Sequence, residues 1–225
     1  MSKIDETKST SDVGSVASVP LMENKSADLS KVGVKNFVGV SCTEGHVYAL
    51  AVDGHLYVYD QHRKVEKWMN IRVDRAFACT AAATHLLCGC SDGTIRVFST
   101  STLEHIVTLP KPPPLGSANV EAGVKKIRIP ASKESKFADA VAVQMDVERQ
   151  KIVVLYSDRM MFMWDIKKLE KIGVFRTFLH HCGPIYDLEA LPSTSESVTR
   201  FATCSTDKTI RFWNYYDYAN QELHR

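Results

Sequence analysis

His181, Ser205 and Asp207 are the residue types from which a hydrolase assembles a nucleophile, the base that activates it and the carboxylate that orients the base. Brought together, they would cleave an ester or amide through an acyl intermediate. Their surroundings in the sequence argue against that chemistry. Ser205 has no Gly-x-Ser-x-Gly elbow and no evident oxyanion loop, and it lies in a strand-like run instead of at a strained strand-to-helix turn. No catalytic residue and no cofactor is therefore expected. Cys88 and Cys90 invite a metal reading, but a single residue between them is too close for finger-like spacing, and no second pair completes a tetrahedron. No metal site is expected either.

Ser205 and Asp207 are carried by a hairpin. Phe201–Ser205 runs into the polar turn Thr206-Asp207-Lys208, and residues 209–213 resume a strand pattern with apolar Ile210 and Phe212. An aromatic stands six positions after the aspartate, and the same step recurs from Asp53 to Tyr59, Asp92 to Phe98 and Asp158 to Trp164. Residues 91–98 also repeat 206–213 at Asp, Thr, Ile and Arg. The aspartates lie 39, 66 and 49 residues apart, a period of about 40 or more with insertions, as in four-stranded propeller blades. The expected fold is all-β, a β-propeller of about four blades over roughly residues 35–73, 74–109, 138–178 and 179–225.

With 225 residues, 44% hydrophobic and 24% charged, the chain can bury one good core. A net charge of +2 gives no broad basis for the phosphate attraction used by nucleic-acid binders, so no nucleic-acid partner is expected. No run of about 18 apolar residues is present and the first residues lack a signal-peptide core, so no membrane contact and a cytoplasmic location are expected. Residues 1–28, rich in Ser, Lys, Asp and Glu, read as a disordered tail ahead of a propeller segment at 29–225.

Between the second and third hairpins lies an insertion at 110–137. It opens on Pro110-Lys111-Pro112-Pro113-Pro114, which cannot continue a ladder because proline has no N–H to donate. Its Lys125, Lys126, Ile127 and Ile129 loosely resemble the basic-then-apolar docking peptides gripped by kinases of the mitogen-activated class; a solvated insertion is the plainer reading.

Trp164-Asp165, with the looser Tyr59-Asp60, Phe98-Ser99 and Trp213-Asn214, resembles the dipeptide that names the WD-repeat family. In that family a His before the first strand of a blade, a Ser or Thr on the second, the turn Asp and the Trp on the third form a buried hydrogen-bond chain. The resemblance implies such a structural tetrad for His181, Ser205, Asp207 and Trp213, with Asp53, Asp92 and Asp158 as the turn aspartates of the other blades. The match narrows in residues 87–98, in Leu179-His180-His181 and in 204–214, which resemble the mitogen-activated protein kinase-binding protein family and its spindle-pole WD-repeat paralogue. That resemblance implies a non-catalytic protein–protein interaction scaffold. Its partners would belong to c-Jun N-terminal kinase signalling or the centrosome, and its location would extend to the centrosome or spindle pole. A generic WD-repeat adaptor in another complex is the alternative, and a hydrolase using His181, Ser205 and Asp207 the remaining one.

The four hairpins are followed by too little sequence for an obvious fourth outer strand, so an open or incomplete ring is expected, with self-association through an uncovered blade edge. Residues 29–34 could loop back as a closing strand.

Overall fold

Each hairpin becomes the middle of a sheet, because its two alternating strands accept one further strand on either side. The computed structural model describes residues 35–112, 137–178, 181–191, 200–214 and 223–224. Within these residues lie four antiparallel four-stranded sheets, each wound in chain order. Blade 1 is β1 (Phe37–Thr43), β2 (His46–Ala51), β3 (His55–Tyr59) and β4 (Val65–Asn70). Blade 2 is β5 (Ala76–Ala82), β6 (His85–Cys90), β7 (Ile95–Ser99) and β8 (His105–Thr108). Blade 3 is β9 (Ala140–Asp146), β10 (Lys151–Tyr156), β11 (Met161–Asp165) and β12 (Gly173–Phe178). Blade 4 is β13 (Ile185–Ala190), β14 (Phe201–Ser205), β15 (Ile210–Trp213) and β16 (Leu223–His224).

The registers make the blades equivalent residue by residue. Every first strand carries an irregularity at the same place, between Phe37 and Gly39, Ala76 and Ala78, Ala140 and Ala142, and Ile185 and Asp187. Past it, Val40, Cys79, Val143 and Leu188 hold one position, opposite Ala49, Cys88, Val154 and Thr203 on the second strands. Because side chains alternate across a strand, each sheet has one face toward the preceding blade and one toward the following blade.

These faces close into three apolar layers. Tyr48, Leu50, Leu56 and Val58 meet Cys79, Leu86, Cys88 and Phe98. Leu87, Ile95 and Val97 meet Val143, Ile152, Val154 and Trp164. Val153, Leu155, Met161 and Met163 meet Leu188, Phe201 and Trp213. The first strands touch in succession, β1 with β5, β5 with β9 and β9 with β13, which makes them the innermost. No comparable packing joins blade 4 to blade 1 among the described residues, and the ring is open.

One expectation is corrected. Leu223 pairs with Arg211 and His224 with Ile210, so blade 4 has a fourth, outer strand. Two residues carry no alternation, and only the exposed edge of β15 gives them a partner. The tail at 1–28 and the segment 29–34 lie outside the described residues.

Candidate functional site

His181 stands ahead of β13, Thr203 on β14, Asp207 in the hairpin turn and Trp213 on β15. His181 Nδ1 lies 2.9 Å from Asp207 Oδ2, and Nε2 lies 2.8 Å from Thr203 Oγ1. The indole N–H of Trp213 donates to the same Thr203 oxygen at 2.9 Å. A carboxylate only accepts, which assigns the Nδ1 proton to the Asp207 side and leaves Nε2 to accept from the Thr203 hydroxyl. The relay then runs from Trp213 through Thr203 and His181 to Asp207, the Thr203 hydroxyl accepting once and donating once, Nε2 accepting and Nδ1 donating.

Ser205 is not part of it. Its Oγ donates toward the carbonyls of Gly183 and Pro184, at 3.1 and 2.8 Å, and accepts the Asp207 N–H at 3.2 Å. Thr203 thus takes the place assigned to Ser205. Period-two alternation puts both residues on the same face, so spacing cannot choose between them. Register does: Thr203 sits opposite Leu188 and Arg211 in mid-sheet, whereas Ser205 ends the strand at the turn. The same geometry leaves the triad unassembled, since Ser205 makes no hydrogen bond to the imidazole. Of the two hydroxyls that reach the ring, Thr203 on Nε2 is only 2% exposed and Thr209, 3.3 Å from Nδ1, is given over to the Asp207 carboxylate.

Burial opposes ionisation of Asp207, but hydrogen bonds outweigh it and hold the carboxyl well below the usual carboxylate range. They come from the Thr209 hydroxyl at 2.6 Å, from His181, and from the backbone N–H groups of Cys182 and Thr209, both at 3.0 Å. Asp53 is governed alike: burial raises its carboxyl, while Lys35 and His55 draw it down to about 2.

Asp53 and Asp158 make the turn contact that Asp207 makes, accepting the N–H two residues on, from His55 at 3.3 Å and Met160 at 3.0 Å. Asp92 differs. It and Gly93 both have positive φ, +55° and +64°, so this hairpin closes on two residues, with Thr94 N–H on the Ser91 carbonyl. Its carboxylate accepts the Phe137 N–H at 2.9 Å and pairs with the Lys111 ammonium, which also lies 4.9 Å from the Phe137 ring centroid. Lys111 and Phe137 are the two ends of the insertion, and Asp92 fastens them together. Lys125, Lys126, Ile127 and Ile129 lie outside the described residues.

Sequence reasoning missed what the residue after the aromatic does. Asp60 accepts the N–H groups of His62 and Lys64, Asp165 that of Lys167, and Ser99 Oγ that of Thr102, each capping the turn into the outer strand. Asp165 also pairs with Lys151, directly opposite on β10 and buried. The looser dipeptides already held this signal, because Asp and Ser are both side-chain caps.

The cysteines of β6 face the blade 1–2 layer. Burial pushes the Cys90 thiol up to about 12, and contact with Cys79, together with burial, raises Cys88 well above its ordinary value. Among the described residues no group of three or more His, Cys, Asp or Glu could hold a metal ion, and no helix is long and apolar enough to cross a membrane.

The hairpin turns and the two described ends of the insertion, Lys111 and Phe137, lie at one rim. At the other, the turns after the first and third strands border a cleft of about 610 Å³ between blades 1 and 2, lined by Thr43, His46, Tyr48, Glu66, Lys67 and Ser101 among others. Glu66 lies 3.1 Å from His46 Nε2, while Lys67 donates to the Ser101 carbonyl at 3.2 Å and the Tyr48 hydroxyl to that of Thr100 at 3.0 Å. A smaller cleft of about 170 Å³ separates blades 3 and 4 on the same rim.

Residues 173–214 match the family model described as WD domain, G-beta repeat. The match starts on β12 and ends just past β15, so the sequence repeat runs one strand out of step with the blade. The chain is 29% identical over 205 residues to WD repeat-containing protein 62 of Sus scrofa, covering 87% of this chain and 13% of that protein. It is 28% identical over 221 residues to Mitogen-activated protein kinase-binding protein 1 of Mus musculus, covering 94% and 14%. The chain thus spans a small part of the length of these curated relatives. Among solved structures, the computationally designed Ika4 protein aligns with a TM-score of 0.57 at 15% identity, over 80% of this chain and 91% of that one, a likeness of fold alone. The chain is similar to WD-repeat proteins in both sequence and fold.

Proposed function

We propose that this chain is a non-catalytic protein–protein interaction scaffold of WD-repeat type whose contact surface is the rim cleft between blades 1 and 2. The observation that carries the reading is the division of labour between the rims. Asp53, Asp92, Asp158 and the relay of His181, Thr203, Asp207 and Trp213 are engaged in holding the fold at the hairpin-turn side. On the opposite side, Glu66 and Lys67 stand in a cleft of about 610 Å³ with their charged ends at the surface. Such a cleft suits a peptide carrying both polar and apolar groups. The name of one relative supplies the partner class, a mitogen-activated protein kinase; c-Jun N-terminal kinase signalling and a centrosomal or spindle-pole location are the finer form of the proposal and rest on the sequence resemblance alone. Lys125, Lys126, Ile127 and Ile129 are a second contact in this reading.

The test is capture of purified mitogen-activated protein kinases by the chain, by Glu66→Lys with Lys67→Glu, and by a chain lacking residues 113–136. Loss on charge reversal with an unchanged melt supports the cleft, and loss on deletion supports the insertion. Undiminished capture by both variants, or no capture by the parent, overturns the assignment. Ester turnover abolished by Ser205→Ala would favour the hydrolase instead.

A further inference from the structure

Both end faces of the four-blade stack expose apolar residues at positions that the inner faces bury, and we propose that they receive each other in a second copy of this chain. Two copies then join head to tail, blade 4 of one against blade 1 of the other.

Residue equivalence carries the argument. Val40 is 66% exposed, while Cys79, Val143 and Leu188 at the same position in blades 2, 3 and 4 are at 8% or less. Val47 is 39% exposed, and its equivalents Leu86, Ile152 and Phe201 are at 1% or less. These are residues of the face that looks toward a preceding blade. On the opposite face the pattern inverts. Leu56, Ile95 and Met161 are completely buried by a following blade, and Ile210, their equivalent in blade 4, is 46% exposed. At these positions the sequence keeps apolar side chains at both ends, and among the described residues the charge on the blade 4 face is confined to its first strand, at Asp187 and Glu189.

A polar feature follows the same rule. From blades 1, 2 and 3 a first-strand side chain reaches the first strand of the next blade. Ser41 Oγ accepts the Ala81 N–H at 2.9 Å, Thr80 Oγ1 donates to the Val143 carbonyl at 2.7 Å, and Gln144 Nε2 donates to the Leu188 carbonyl at 3.4 Å. Glu189 holds this position in blade 4 and is exposed. In a second copy the residue standing where Ala81 stands is Cys42, whose N–H a carboxylate can accept.

The occupant is a second copy because the two faces are the two halves of a contact the chain already builds three times within itself. A heterologous contact of this kind either closes or propagates. Twice four blades reaches eight, within the range of about four to eight at which propellers close, so a two-fold dimer satisfies both faces at once. The contact is face to face, which differs from pairing along a blade edge: the edge of β15 is occupied by β16.

The test is sedimentation equilibrium on the chain, on Val40→Asp, on Ile210→Asp, and on an equimolar mixture of the two variants, with circular dichroism melts to establish that each variant is folded. The parent is expected to sediment as a dimer. Each variant alone should dissociate with a dissociation constant raised about tenfold or more. The mixture should recover association, since one contact in the mixed pair unites an intact blade 4 with an intact blade 1. A parent that stays monomeric with a native melt overturns the proposal. So does dimerisation that survives either variant, which would place the contact on one face only, and so does a monomer whose end faces are taken up by a different protein.

Discussion

A Cβ added to Gly89 would lie 2.7 Å from the carbonyl oxygen of Ala140, closer than carbon and oxygen can stand. The second strand of blade 2 and the first strand of blade 3 therefore approach to a separation that only a glycine allows. Gly89→Ala is expected to cost about 1–3 kcal/mol, because the opposing atom is backbone and the blades must part to admit a methyl group. Gly173→Ala is the control, with nothing within 4 Å of the added carbon. Chemical denaturation of the two variants should separate them by most of that amount, and equal midpoints would remove the close approach.

Thr203, and not Ser205, should dominate the hydrogen-bond relay. Thr203→Val keeps the shape but leaves the Trp213 N–H and His181 Nε2 buried without their shared partner, at a cost of about 1–3 kcal/mol. The indole N–H resonance of Trp213 should shift in Thr203→Val and stay in place in Ser205→Ala. A shift in the serine variant alone would restore Ser205 to the relay.

Acid should weaken blade 4 through Asp207. Its folded carboxyl lies below that of the unfolded chain, about 3.9, so its charge contributes stability above that pH. The contribution is lost as pH falls through the folded value. Asp53, drawn down to about 2, acts with the same sign. The melting temperature should drop between about pH 4 and pH 2, and Asp207→Asn should be less stable at neutral pH with a flatter acid limb. A variant curve parallel to that of the parent would show that Asp207 carries no such linkage.

Blade 3 offers the reverse experiment. Val154 stands where Thr203 stands, and among the described residues the buried Trp164 indole N–H has only the nearby Tyr156 hydroxyl, with no well-formed hydrogen bond between them. Val154→Thr is expected to raise stability by about 1 kcal/mol, whereas Val153→Thr, on the opposite face, should lower it. Destabilisation by both to the same extent would mean that the indole is satisfied in another way.

The aspartate-to-aromatic step made four blades legible in the sequence, because a two-strand hairpin is local: turn residues, alternation and spacing are all encoded within about fifteen residues. Asp207 and Trp213 were legible for the same reason, whereas His181, 26 residues from Asp207, was legible only through the resemblance to the WD-repeat family. The choice of Thr203 over Ser205 was not, since both face one side of β14 and only the register against β13 and β15 separates them. Asp92 read as one turn residue among four. Its role in fastening Lys111 to Phe137 required two points 26 residues apart to be brought to one hairpin, which no local pattern states.

The sequence by itself determined the unit, its copy number and the acidic corner of each hairpin. Tertiary structure alone decided which faces those units hide: Ile95 and Ile210 share residue type and position in the repeat, yet one is enclosed and the other meets solvent. Burial depends on whether a neighbouring blade is present, and that is a property of the stack.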